Sequence, residues 1–125
     1  MSEPQTGRVR PSATVALEEV PAGTNTRTQL LIGAEQGAPN FAMRRFVMGA
    51  GGGMPRHTNA VEHEQYVLKG RARVTIGDSV QEVKADDAVY IPAGVPHSYE
   101  VVEDPFEFLC LVPNLPDAIE ILDKE

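Results

Sequence analysis

The sequence predicts an all-β fold in a single domain, and three observations carry that prediction. Short apolar and β-branched runs recur along its 125 residues. Gly, Pro, Asn and Asp separate nearly all of them. Only one segment has helical spacing. The runs are Thr14–Val20, Thr26–Ile32, Asn40–Met48, Glu62–Lys69, Ala72–Ile76, Val80–Val83, Ala88–Ile91, Ser98–Val102 and Phe106–Val112. Breaks fall at Pro21-Ala-Gly23, the Gly49–Gly53 cluster, Gly77-Asp78, Asp86-Asp87, Pro92-Ala-Gly94 and Asp104-Pro105. Glycine supplies φ > 0 there, while proline fixes φ and removes a donor.

Residues 1–12 hold Pro4, Gly7 and Pro11 among polar neighbours and read as a flexible N-terminal arm. Residues 13–115 form the expected barrel, and 116–125 a C-terminal tail or short helix. Within the barrel, Arg73–Ile76 and Val80–Val83 flank Gly77-Asp-Ser79, which predicts a hairpin. Pro116–Leu122 is the helix candidate, with proline suited to a first turn and Ile119 and Leu122 about one turn apart.

Composition narrows the function. Hydrophobic content of 42% and charged content of 23% are ordinary for a globular domain. A net charge of −7 repels phosphate backbones and anionic lipid, which argues against nucleic-acid and membrane-surface roles. The single cysteine, Cys110, excludes an intramolecular disulfide and a multi-cysteine zinc site, and suits the reducing cytoplasm. Met1–Pro11 lacks the apolar core of a signal peptide, and no stretch approaches the roughly 20 apolar residues of a membrane span.

The three histidines, His57, His63 and His97, sit in two turn-and-strand segments. Residues two apart on a strand share a face, so His57, Asn59 and His63 have one parity. If the strand headed by His97 lies beside them, three imidazoles converge. Neutral imidazole suits first-row divalent metals, and three ligands leave positions open, as a catalytic metal requires. Asn59 adds a weak amide-oxygen ligand, or a hydrogen bond that orients one. The expected cofactor is a divalent transition metal: Mn, Fe, Ni, Cu or Zn.

These segments resemble the two motifs of the cupin superfamily. The first motif reads here as Gly51, five residues, His57-Thr-Asn59, three residues, His63, six residues, Gly70. The second reads as Asp86, five residues, Pro92-Ala-Gly94, two residues, His97, with Val101 in its last place. The likeness to small manganese-binding cupins with four histidines extends over Leu30–Gly70 and Phe108–Pro113. In that group a histidine replaces the usual glutamate, as His63 does here. Asn59 departs from the group, standing where it has a histidine. The resemblance implies a single-domain jelly-roll barrel, a homodimer and oxygenase chemistry on small organic molecules. Three neutral histidines are also similar to the ligand set of iron dioxygenase cupins. A metal so held keeps its full charge, which favours an anionic or enolate substrate.

The expected pocket residues are Met54, Gln65, Phe108 and Cys110. Gln65 shares parity with His63 and would orient a water or substrate, or bond a neighbouring strand's backbone. Phe108 and Cys110 share a face that the resemblance places near the metal, though core packing explains a buried cysteine as well. Met54 would cap the pocket mouth or make a loop contact. Arg44 and Arg45 face opposite ways, so one points to the barrel or to a dimer partner. A rim or interface salt bridge is the ordinary outcome, and an inward arginine would grip a substrate carboxylate. Glu62 and Glu64 read as solvated. The expected function is a metal-dependent dioxygenase. The alternatives are a Lewis-acid isomerase or lyase, and a non-catalytic small-molecule-binding module, which Asn59 favours.

Overall fold

A computed structural model describes residues 6–122. Eight strands form one antiparallel sheet: β1 (Glu18–Glu19), β2 (Thr24–Ile32), β3 (Phe41–Asn59), β4 (His63–Ile76), β5 (Ser79–Lys84), β6 (Ala88–Ile91), β7 (His97–Pro113) and β8 (Ile119–Ile121). The order is β1-β2-β3-β7-β4-β5, with β6 on β4 and β8 on β3. Two single 3-10 turns, Ser12–Thr14 and Ala34–Gln36, complete the regular structure among the described residues. The all-β barrel expected from the runs of the sequence is therefore the fold. No helix among the described residues is long and apolar enough to cross a membrane.

The expected hairpin is present. Ile76 pairs with Ser79 and Thr75 with Val80, leaving Gly77 and Asp78 as the turn. Gly77 takes the left-handed φ of +60° such a turn needs. Other expectations are corrected. Thr14–Val20 contributes only the pair Glu18–Glu19. The Gly49–Gly53 cluster and Asp104-Pro105 do not end strands, because they lie inside β3 and β7, and the runs Glu62–Lys69 and Ala72–Ile76 join through Gly70 into the one strand β4. These glycine and proline positions are irregularities where the register shifts.

The physical reason shows in the burial pattern. On β4 the buried residues are His63, Gln65 and Val67, then Ala72 and Val74. On β7 they are His97 and Tyr99, then Phe106, Phe108 and Cys110. Both strands change parity at the same level, since Gly70 packs on the β7 backbone. A Cβ at Gly70 would lie 2.2 Å from the Pro105 carbonyl oxygen, and its φ is +80°. Matched bulges bend the β4–β7 ribbon and keep an apolar face inward on both sides of the bend. The core, built on Met48, Val67, Ala72, Val74, Ile91, Phe106 and Phe108, fills the space enclosed.

The C-terminal segment is the clearest correction. Pro116–Leu122 is not a helix: Ile119–Ile121 forms β8, pairing Ile121 with His57 and Ile119 with Asn59. A helix this short is not stable alone, and pairing with β3 supplies the backbone partners it lacks. Residues 123–125 of the expected tail and 1–5 of the expected arm lie outside the described residues. Within the remainder of that arm, Arg10 Nη1 donates to the carbonyls of Leu30 at 3.2 Å and Leu31 at 2.8 Å.

Candidate metal centre

The bent ribbons place the histidines. His57 near the end of β3 is paired with His97 at the start of β7. Their ring centroids lie 4.2 Å apart. His63 starts β4, at the far end of the ribbon from His97, yet its ring lies 5.8 Å from that of His97. The bend at Gly70 brings the two ends together across the barrel. Met54 and His57 have opposite parity, and a register shift between them lets both face the same cavity.

The cavity has a volume of about 110 Å³ and is lined by all of the expected ligand and pocket residues: His57, Asn59, His63, His97, Met54, Gln65, Phe108 and Cys110. His57 Nδ1 lies 2.7 Å from the Pro55 carbonyl oxygen, and His97 Nδ1 lies 2.9 Å from that of Val95. A carbonyl only accepts, so in each neutral ring Nδ1 carries the proton and Nε2 keeps its lone pair. His63 Nε2, His97 Nε2 and Asn59 Oδ1 are buried without a hydrogen-bond partner among the described residues. Buried polar atoms are seldom left so, and three acceptor-capable atoms lining one cavity match the donor set of a divalent cation. Among the described residues, no three His, Cys, Asp or Glu side chains stand in an arrangement that holds a metal ion as it is. The fit rests on the orphaned donors and their chemistry.

Asn59 has a partner the sequence did not reveal. Its Nδ2 donates to Asp117 Oδ2 at 3.0 Å, and Asp117 Oδ1 accepts from the Ala60 backbone at 2.8 Å. A carboxylate accepts only, so Asp117 fixes which end of the amide faces it and leaves Oδ1 on the other side. Nothing in the sequence marked Asp117, because its segment reads as helix until β8 is seen.

Burial pushes the His63 imidazole down to about 4, with the Arg44 guanidinium and His97 adding to the effect and Asp117 opposing it. Burial also pushes His97 down to about 4, against the hydrogen bond to Val95. Both rings are therefore neutral at physiological pH, the form that binds metal.

The surrounding wall is aromatic and weakly polar. Gln65 Nε2 donates to Tyr99 Oη at 2.7 Å, across the barrel and not to a strand backbone. Tyr99 stacks on Phe108 at 5.5 Å, and Phe108 on Phe46 at 5.2 Å. Burial raises the Tyr99 hydroxyl above its ordinary pKa, so it stays protonated. Tyr99 escaped the sequence reading, although its parity with His97 marked it as inward. Burial likewise raises the Cys110 thiol. Of the two arginines, Arg45 makes the rim ion pair, with Glu107. Arg44 lines the cavity. Glu62 and Glu64 are exposed, as their parity predicts.

Comparison with known proteins agrees with this architecture. Residues 44–112 match the Cupin domain family, Cupin_2. The polyketide cyclase RemF of Streptomyces resistomycificus has a similar structure, with a TM-score of 0.82 and 29% identity over 95% of this chain and 88% of that one. A cupin 2 domain-containing protein of Halorhodospira halophila has a TM-score of 0.73 and 31% identity, covering 80% of this chain and 72% of that one. An uncharacterized protein of Streptomyces coelicolor is 27% identical over 70 residues, which are 56% of this chain and 67% of that protein. The family match spans more than half of the chain and the barrel is the cupin barrel: the chain belongs to the Cupin domain family.

Proposed function

We propose that this protein is a metal-dependent cupin that activates a small, enolisable carbonyl compound for cyclisation or isomerisation. The observation that carries it is the set of neutral, unpartnered donors, His63 Nε2, His97 Nε2 and Asn59 Oδ1, lining one cavity beside His57. His57, His63 and His97 would hold the ion and Asn59 would complete the set. A bound divalent ion would supply Lewis-acid polarisation of a carbonyl oxygen or, if redox-active, dioxygen chemistry. With no carboxylate among its ligands the site stays cationic, which favours an enolate. The Phe46–Phe108–Tyr99 stack shapes a flat slot for it. Tyr99, held protonated and bonded to Gln65, donates to substrate oxygen and does not act as a base. Similarity to a polyketide cyclase over nearly the whole chain supports this non-redox reading.

The dioxygenase expected from the sequence stands second, favoured by the same all-neutral ligand set. A β-keto ester incubated with metal-loaded protein in D₂O separates the readings. Faster exchange of its enolisable C–H without oxygen uptake supports the first. Oxygen uptake supports the second, and neither response with metal bound means a non-catalytic binding module. We place the protein in the cytoplasm as a homodimer whose exposed edge strand β1 extends the partner's sheet. Light scattering after size exclusion is expected to give the dimer mass, and a monomer at all concentrations contradicts the assembly.

A further inference from the structure

Among the described residues, Arg44 is the one lining this cavity with a permanent charge. Its Nη2 donates to Cys110 Sγ at 3.3 Å, and its Nε is buried with no partner. The guanidinium carbon lies 5.0 Å from the centre of the Phe46 ring. Arg45, Arg71 and Arg73 each pair with a glutamate. Arg44 has no carboxylate within ion-pair distance among the described residues. Its polar contact is a thiol, which burial keeps protonated, so no counter-charge is supplied. A guanidinium in an apolar wall with a vacant N–H is poorly satisfied, and a planar pair of oxygens is the group that matches its fork. The sulfur contact is weak and readily exchanged for oxygen. From Arg44 the aromatic wall continues through Phe46, Phe108 and Tyr99 to His97, whose ring lies 5.9 Å from that of Tyr99.

We propose that Arg44 is the anion anchor of this cavity, and that the substrate is a small planar organic anion, a conjugated carboxylate or enolate, lying along the aromatic wall between Arg44 and the histidines. The inference rests on the reading of this cavity as the substrate pocket and adds the charge and shape of what enters it. Although the whole chain is acidic, this cavity lacks an anionic partner for its guanidinium, so it attracts the anion locally.

The test is calorimetric binding of benzoate and of benzyl alcohol, a neutral compound of similar shape. Each is titrated into wild type, Arg44→Gln and Arg44→Lys at neutral pH, in metal-stripped and metal-loaded forms. Benzoate is expected to bind the wild type even without metal, to lose about tenfold or more in Arg44→Gln, and to bind Arg44→Lys with intermediate strength. Benzyl alcohol binding is expected to move little. Equal benzoate affinity in wild type and Arg44→Gln overturns the proposal, as does absence of saturable benzoate binding to the wild type. Should Arg44→Gln not fold, Arg44→Lys decides, because retained charge without the fork must still weaken binding. Failure of the metal reading looks different: no metal binds, yet benzoate binding still depends on Arg44.

Discussion

Replacing His63 with leucine is expected to abolish stoichiometric metal binding and, in acid, to leave the metal-free chain relatively more stable than wild type. The fold holds the His63 imidazole down near 4, chiefly through burial, while the unfolded chain titrates near 6.5. Between those values the unfolded state takes up a proton that the native state refuses. The stability associated with His63 is therefore fully present above about pH 6.5 and is lost as pH falls through about 4. At about pH 5 the loss amounts to about 2 kcal/mol. His97 acts in the same direction and is coupled to it through the cluster, so the two losses do not simply add. Leucine fills much of the ring's volume and does not titrate. Urea unfolding at about pH 7.5 and pH 5, with chelator present, should show the variant gaining on wild type by up to about 2 kcal/mol between the two conditions. An equal deficit at both pH values would make His63 a packing residue. Such a trade of stability for a polar cluster is what a functional site exhibits.

The second large effect is expected at Asp117. Asp117→Ala leaves the Asn59 amide free to turn, and affinity for manganese or zinc should fall about 10- to 100-fold. Asn59→Ala should weaken binding comparably. In the Asn59→Ala background, Asp117→Ala should add little, because its effect passes through the amide it orients. Competition with a chromogenic chelator reads all four proteins. Additive losses would show that Asp117 acts on the fold of β8 and not on Asn59.

Much of this was legible in the sequence, for a physical reason. β4 and β7 alternate cleanly near His63 and His97, and the turn residues at Gly77-Asp78 and Pro92-Ala-Gly94 have local conformational demands. Three histidines in two segments then pointed to one site. What stayed hidden depends on non-local structure. Gly70 looks like a strand terminator until its contact with the Pro105 carbonyl shows a bend within a continuous strand. Parity assigned Arg44 and Arg45 to opposite faces, but only the placement of Glu107 decides that Arg45 takes the ion pair and Arg44 lines the cavity. Asp117 was invisible because a three-residue strand with little periodicity is defined by its partner, β3.

Metal content by mass spectrometry on untagged protein, beside the His57→Ala/His97→Ala double variant, tests the central claim most directly. The site described here predicts about one divalent ion per wild-type chain and none in the variant. No metal in the wild type, even after incubation with manganese, iron, nickel, copper and zinc in turn, would contradict it.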